Sequence, residues 1–504
     1  MNEDRRIRKI VIVGGGTAGW IAASLLARTA TEHQCAVTLI ESTDIGTVGV
    51  GEATIPPIID LLRILGIDEA DFIRHTQATF KLGIQFKDWR VIGERYWHPF
   101  GTFGTSINRR PFHHFFLKAR RAGQHPRISD YAICAALGDA EKFYFPDGEG
   151  RAPPGQRHAL HFDAALVARY LRAYASRLGV EWLDRKVAHA TLRADGFIDT
   201  LICTDGTRLQ ADLYVDCSGF RGVLIEEVLA TGYIDWSAML PCDRAVAMQT
   251  RTAIAPPPFT VASARGAGWQ WRIPLQHRAG NGYVYSSAHV RDDEALEDLI
   301  AEVREPALTE PRYLRFTPGR RKQFWNKNCV ALGLAAGFLE PIESTNIQLV
   351  INAVLNLLDH FPDRSFEPRN IAAYNQELVA EIEAVRDFIV LHYCRTERAD
   401  SALWRHCREM PIPDSLQERI GLYEGTGRIR PQARELFTDL SWFYVLDGMG
   451  VKPATSDPLI DGPLFAQAQG TLTALRGQVA RDVQRAPAHL GYFAPDSVLA
   501  AKEW

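Results

Sequence analysis

The sequence predicts an α/β fold, and three observations carry that expectation. Lys9-Ile-Val-Ile-Val13, a short apolar run, meets Gly14-Gly-Gly16-Thr17-Ala18-Gly19 and then the helix-like Trp20-Ile-Ala-Ala-Ser-Leu-Leu-Ala. A second apolar run, Ala36-Val-Thr-Leu-Ile40, ends on Glu41. Two later runs, one leading to Gly219 and one to Gly333 with Gly337 beyond it, also pass from strand to glycine turn. Strand, glycine turn, helix, strand, acid is the order of a Rossmann-type dinucleotide-binding unit.

Each part of that unit has its own physical reason. Gly14 permits the tight turn, Gly16 lets the backbone approach a pyrophosphate, and Gly19 lets helix and strand pack closely. The first helical turn, with Thr17 and Ala18, offers N–H groups and the positive end of the helix dipole to phosphates. Glu41 stands about twenty residues past the last glycine, where a ribose hydroxyl is bound. An ordinary glycine-rich turn would leave Glu41 unexplained. The motif does not choose between FAD and NAD, and no second GxGxxG occurs. The turns at Gly219, Gly333 and Gly337 favour FAD, because they bring more backbone close to a large cofactor.

The bulk numbers exclude several classes. A chain of 504 residues exceeds one ordinary core. The net charge of −3 gives no polyanion-binding signal, so no nucleic acid is expected. Eleven tryptophans suit a pocket for a flat ligand. Eight scattered cysteines without a C-x-x-C predict neither a metal site nor a disulfide framework, and point to a reducing, cytoplasmic location. The charged Met1 to Lys9 stretch leads straight into a strand, so no signal peptide is expected. Apolar stretches are broken before membrane-spanning length.

Four further stretches combine pattern with chemistry. In Thr79 to Trp89, Phe80, Leu82, Ile84 and Phe86 alternate with Lys81, Gly83, Gln85 and Lys87, which by pattern alone puts Lys81 on a polar strand face. In Gly268 to Pro274, Trp269, Trp271 and Ile273 share one face, as core residues would. In Trp97-His98-Pro-Phe100, an extended chain points His98 and Phe100 the same way. Ile347, Val350, Ile351, Val354, Leu357 and Leu358 fall at helical spacing, so a buried-face helix is expected to start near Thr345. Ser344 or Thr345 then suits an N-cap, and the acids before it suit the dipole.

Val48-Gly-Val-Gly-Glu-Ala-Thr-Ile-Pro56 and the W-x-W-x-I-P run (Trp269, Trp271, Ile273, Pro274), with Gly14–Trp20 and Glu340–Thr345, resemble the flavin-dependent halogenases of the tryptophan-halogenase family. The resemblance extends through Phe388–Tyr393 and Ala402–Arg405 and weakens over the last hundred residues. It implies an FAD-monooxygenase-like FAD domain with an inserted antiparallel sheet (residues 1–370) and a mainly helical part that caps the substrate (371–504). It also implies FAD used as FADH2 and supplied by a separate flavin reductase, with O2 and halide, chloride or bromide, as co-substrates. Hypohalous acid then halogenates a small electron-rich aromatic, indole or an indole derivative, by electrophilic substitution. A homodimer stays open, as do two rival readings: an FAD monooxygenase that hydroxylates, and a flavin-binding protein without catalysis.

The resemblance also assigns roles. Lys81 is the family's essential lysine, which either hydrogen-bonds the oxidant or forms a haloamine. Glu343 is the carboxylate that stabilises the arenium ion or helps take its proton, and it is expected to pair with Lys81. The amides of Thr345 and Asn346 hold the halide. Family members acting on free tryptophan usually have glycine at the position of Asn346; asparagine tolerates the left-handed region, so the turn is expected to survive. Its side chain would crowd the halide and favour the larger bromide. Trp269, Trp271, Ile273 and Pro274 line the flavin side and the tunnel, Gly333 and Gly337 approach the cofactor, His98 and Phe100 clamp the arene, and Trp442 forms the opposite wall.

Overall fold

The computed structural model describes residues 4–30, 34–44, 52–146, 152–252, 256–430, 435–494, 496–497 and 499. The stretch Val48 to Gly51 of the V-G-V-G-E motif lies outside the described residues.

The opening strand, Lys9–Val13, sits inside a six-stranded sheet, between Ala36–Glu41 and Leu213–Asp216. Cys329–Ala331 extends the sheet on one side and Glu181–Asp184 on the other, all parallel, with Trp325–Asn326 antiparallel at the edge. Ile10, Val11, Ile12 and Val13 are all buried, as expected of a parallel sheet covered on both faces. Helix Thr17–Ala30 packs against helices Ala164–Arg177 and Asn346–Asp359. Val13, Ile40–Glu41, Cys217 and Ala331 stand at the carboxyl ends of their strands, and all line one cavity. That is where open parallel sheets bind ligands.

The inserted sheet has seven strands in the spatial order Arg312–Arg315, Arg244–Thr250, Ala279–Tyr285, Gly268–Pro274, Thr260–Arg265, Gly83–Lys87, Arg95–Pro99. It is antiparallel except where Gly83–Lys87 runs parallel to Thr260–Arg265. The run from Thr79 to Lys87 is not one strand. Thr79–Lys81 pairs with Ala159–Phe162 in a separate three-stranded sheet, and the chain changes sheets at Leu82. The Leu82 amide donates to Pro258 O at 2.7 Å, and Leu82 O accepts from the Phe100 amide at 2.8 Å. Alternation therefore fails across the break. Lys81 is fully buried, not on a solvated face.

From Asn346 onward, regular structure among the described residues is helical. Helix Pro368–Cys394 starts beside the expected boundary at 370 and runs back through the first part, lining the cavity with Leu378, Glu381 and Ile382. One apolar core extends from Ile7 to Leu499. No helix among the described residues is long and apolar enough to cross a membrane.

The glycine turn can be tested for its steric logic. Gly14 has φ +110°, and a Cβ there would lie 2.2 Å from Cys217 O; a Cβ on Gly16 would meet nothing within 4 Å. Gly14→Ala is expected to cost about 2 kcal/mol or more of unfolding free energy, and Gly16→Ala less than about 1 kcal/mol, in chemical denaturation.

Candidate active site

The cavity at the sheet's carboxyl ends has a volume of about 510 Å³. Its lining includes Gly14 to Ala18 and Glu41, then Trp269, Trp271 and Ile273, with Ser344 and Asn346 from the segment before and at the start of helix Asn346–Asp359. Its size and its long, largely apolar lining fit a dinucleotide with a flat ring. The glycines fit as well. A Cβ on Gly19 would meet Gly14 O at 1.9 Å, whereas Gly16 opens onto free space where a pyrophosphate can approach. Gly333, at φ +60°, and Gly337 also line the cavity. Glu41 accepts from Trp182 Nε1 at 2.8 Å, and its carboxyl rests where a Cβ on Gly15 would stand. That room-making role of Gly15 was not anticipated from sequence.

Trp269, Trp271 and Ile273 share the face of their strand that lines the cavity. Gln270 and Arg272 face away, Arg272 to pair with Glu305. Pro274 ends the strand, its carbonyl accepting from Thr79 Oγ1 at 2.6 Å.

Between this wall and the helix runs the strap Leu339 to Thr345. Pro341–Glu343 forms one 3-10 turn, and Ser344 takes a left-handed conformation at φ +59°. Neither expected cap forms. The Ser344 hydroxyl accepts a bond from Lys81 instead, and Thr345 makes no side-chain capping bond. Thr345 Oγ1 is buried without a partner among the described residues. Asn346 is the first helical residue, so the left-handed turn assigned to it from sequence belongs to Ser344. The amides of the helix's first turn lack intrahelical acceptors by geometry, which suits an anion.

Lys81 lies against this strap. Its Nζ donates to Thr54 O at 2.9 Å and Ser344 Oγ at 2.8 Å and stands 5.4 Å from the centroid of the Phe100 ring. Burial pushes the amine down to about 7, against the opposing charge of Glu343.

Glu343 does not form the expected ion pair with Lys81. Its Oε2 accepts from His98 Nδ1 at 2.8 Å and its Oε1 from His392 Nε2 at 2.8 Å. Burial alone would raise its pKa, but the charge of His98 and the hydrogen bonds from His392 and His98 outweigh that and hold the carboxyl down to about 2. The 3-10 turn aims Glu343 at the histidines, and Ser344 takes the place beside the lysine. Glu340 is buried in the same way. Its Oε2 accepts from Trp269 Nε1 at 2.5 Å and Tyr393 Oη at 2.6 Å, and burial pushes this carboxyl up to about 7. The adjacent His392 and Tyr393 thus each grip one strap glutamate.

His98 also meets an aromatic cluster. Its ring centroid is 5.5 Å from Phe388, 6.0 Å from Phe437 and 6.1 Å from Tyr444. Phe388 stacks on Phe437 at 3.8 Å and meets Trp442 edge-on at 4.9 Å. Trp442 Nε1 and Tyr444 Oη are buried without partners among the described residues. Phe388 therefore bridges His98 and Trp442, while Phe100 turns to the lysine side. Sequence reasoning gave no role to His392, Tyr393, Phe388 or Phe437. Two polar residues inside the apolar run Phe388-Ile-Val-Leu-His-Tyr393 were the available signal.

Comparison with known proteins is consistent with this geometry. A family model described as tryptophan halogenase matches residues 9–463. The chain is 35% identical to the tryptophan 6-halogenase SttH of Streptomyces toxytricini, over 96% of this chain and 98% of that protein. Among solved structures, BrvH, a flavin-dependent halogenase from Brevundimonas sp. BAL3, shares 44% identity with a TM-score of 0.93, covering 99% of this chain and all of that one. Xcc4156, a flavin-dependent halogenase from Xanthomonas campestris, shares 44% identity with a TM-score of 0.94 over the same shares.

The histidine clamp on Glu343 has a pH signature. A carboxyl held below its ordinary value of 4.5 contributes stability above that pH and loses it as pH falls through about 2. Glu343→Gln is expected to unfold at lower denaturant concentration than the natural chain at pH 7. The gap should close between pH 4.5 and about 2 in a series of denaturation curves.

Proposed function

Because the chain belongs to the tryptophan-halogenase family of flavin-dependent halogenases, we propose that it halogenates an indole-type arene, with Lys81 guiding the oxidant and Glu343 balancing the charge on the ring. Family membership sets aside the monooxygenase reading and carries a two-component arrangement with a separate flavin reductase. When bound and reduced, the flavin would supply two of the four electrons that O2 takes up; halide gives the other two and becomes hypohalous acid, with water as the second product.

The chain's own residues divide the remaining work. Gly14, Gly16, Thr17, Ala18, Glu41, Gly333 and Gly337 cradle the cofactor, while Gly19 lies behind the lining and lets the helix close up on Gly14. Trp269, Trp271 and Ile273 wall the cavity and keep an organic substrate from the site where the oxidant forms; Pro274, expected beside them, lies off the cavity lining and only ends their strand. Halide sits at the start of helix Asn346–Asp359, a reading supported by the first-turn amides and by the partnerless Thr345 hydroxyl beside them. Past Ser344, Lys81 receives the oxidant; an amine poised near 7 donates a hydrogen bond when protonated and is a nucleophile when neutral. Glu343, with both oxygens bonded to histidines and its carboxyl held near 2, suits electrostatic stabilisation of the arenium ion better than proton abstraction. The His98, Phe388 and Trp442 rings favour a flat, electron-rich guest such as indole, with or without a larger substituent.

The observation that carries this reading is Lys81. A lysine wholly removed from water, with no carboxylate within 4 Å among the described residues, is costly to bury and does nothing for packing that an apolar side chain would not do better. Its position beside Ser344, which itself lines the cavity, supports reading the amine as the group between oxidant and arene.

Two outcomes follow. With FAD, a reductase, O2, bromide and indole, Lys81→Ala is expected to lose halogenated product by about 100-fold or more in mass spectrometry while reduced flavin is still consumed. Unchanged product would remove Lys81 from the mechanism. With equal chloride and bromide, brominated product should dominate, and Asn346→Gly should shift the ratio towards chloride; a chlorinated majority from the natural chain would refute the crowding assigned to Asn346.

A further inference from the structure

The Glu343 clamp has a third member. Tyr96 Oη lies 2.6 Å from His392 Nδ1, and His392 Nε2 lies 2.8 Å from Glu343 Oε1. An ionised carboxylate only accepts, so Nε2 must carry the hydrogen. Burial lowers the pKa of His392 below the ordinary imidazole value, which favours the neutral ring; a neutral imidazole has one N–H, and Nδ1 is left as a bare acceptor. The only donor Tyr96 can offer it is its hydroxyl hydrogen. The opposite tautomer would set the Nε2 lone pair against the carboxylate. Packing holds the arrangement in place: the Phe86 ring stacks on Tyr96 at 4.8 Å and on His392 at 4.5 Å, so neither ring is free to swing.

We infer that Tyr96 is a positioning residue for halogenation: its hydroxyl fixes the tautomer of His392 and thereby directs an N–H onto Glu343. Tyr96 and His98 lie two residues apart in strand Arg95–Pro99 and share one face. One strand face therefore serves both carboxylate oxygens, Oε2 directly through His98 and Oε1 through Tyr96 and His392. The titratable groups around Glu343 are Lys81, His98 and His392, with Tyr96 behind His392; Phe86, Trp89 and Phe388 cover the rest of that ring. The inference rests on the reading of Glu343 as the counter-charge to the arenium ion.

Tyr96→Phe removes the hydroxyl and keeps the ring on Phe86. Expected are a roughly tenfold lower kcat for brominated product, the size of one net hydrogen bond, little change in KM, and an acid limb displaced to higher pH. In a His392→Gln background the donor is an amide without tautomers, so adding Tyr96→Phe should cost nothing more. Nitrogen NMR of 15N-histidine protein, with His392→Gln to assign the signal, should show Nε2 protonated and Nδ1 bare in the natural chain. A Tyr96→Phe enzyme with unchanged kcat and acid limb, an equal further loss in the His392→Gln background, or a protonated Nδ1 in the natural chain would each overturn the inference. Glu343→Gln separates the two ideas: full halogenation by that variant would sink the counter-charge reading, while the tautomer result stands on the spectrum alone.

Discussion

The site depends on how two buried carboxylates are satisfied. Glu340 and Glu343 are both almost wholly removed from water, on a strap only seven residues long. Such groups are tolerated only when hydrogen-bonded. Four donors meet the need: Trp269 and Tyr393 for Glu340, His98 and His392 for Glu343. Two of the four are consecutive residues near the end of helix Pro368–Cys394. The other two come from the seven-stranded sheet, one on the cavity wall and one beside the aromatic cluster. The strap therefore ties helix and sheet together, and it sets the relation between the cavity wall and the aromatic cluster. Moving either carboxylate would leave its donors unsatisfied in the dry interior, so the linkage is stiff.

The same bonds keep Lys81 and Glu343 apart. A direct ion pair would hold the lysine firmly as ammonium and would spend the carboxylate's charge on it. With Glu343 occupied by two histidines, and Ser344 placed beside the amine, Lys81 instead sits near 7. The glutamate retains a negative charge close to the aromatic cluster. Opposite charges in one buried site thus do different work because hydrogen bonds, not contact distance, decide which groups pair.

Much of this fold was legible in the sequence because it is local. The strand, glycine turn and helix from Lys9 to Ala30 follow from short-range sterics, and the structure gives Gly14, Gly16 and Gly19 the spaces those roles require. The cavity face of Trp269, Trp271 and Ile273 followed from alternation within one unbroken strand. Alternation alone misplaced Lys81 on a polar face, because the sheet change at Leu82 depends on Pro258 and Phe100, partners outside the run being read. The ion pair to Glu343 failed for a similar reason: proximity of charges was inferable, but the competing donors His98 and His392 come from a strand and a helix hundreds of residues apart in sequence. His392 was hidden further by its setting, since periodicity marks that stretch of helix only as buried.

The turn at Ser344 explains how one strap can face two compartments. A non-glycine residue at φ +59° is strained, and such strain persists only where surrounding bonds over-determine it. Here Lys81 donates to the Ser344 hydroxyl, the Ser344 amide donates to Pro341 O at 3.1 Å, and the helix begins two residues later. The reversal lets Glu343, just before it, point to the histidines, while Asn346, just after it, lines the cavity. Next to this turn, Thr345 Oγ1 is buried with no partner among the described residues. The strain at Ser344 and the missing cap at Thr345 thus belong to one turn, and that turn leaves at the helix start the buried hydroxyl on which the proposed halide site rests.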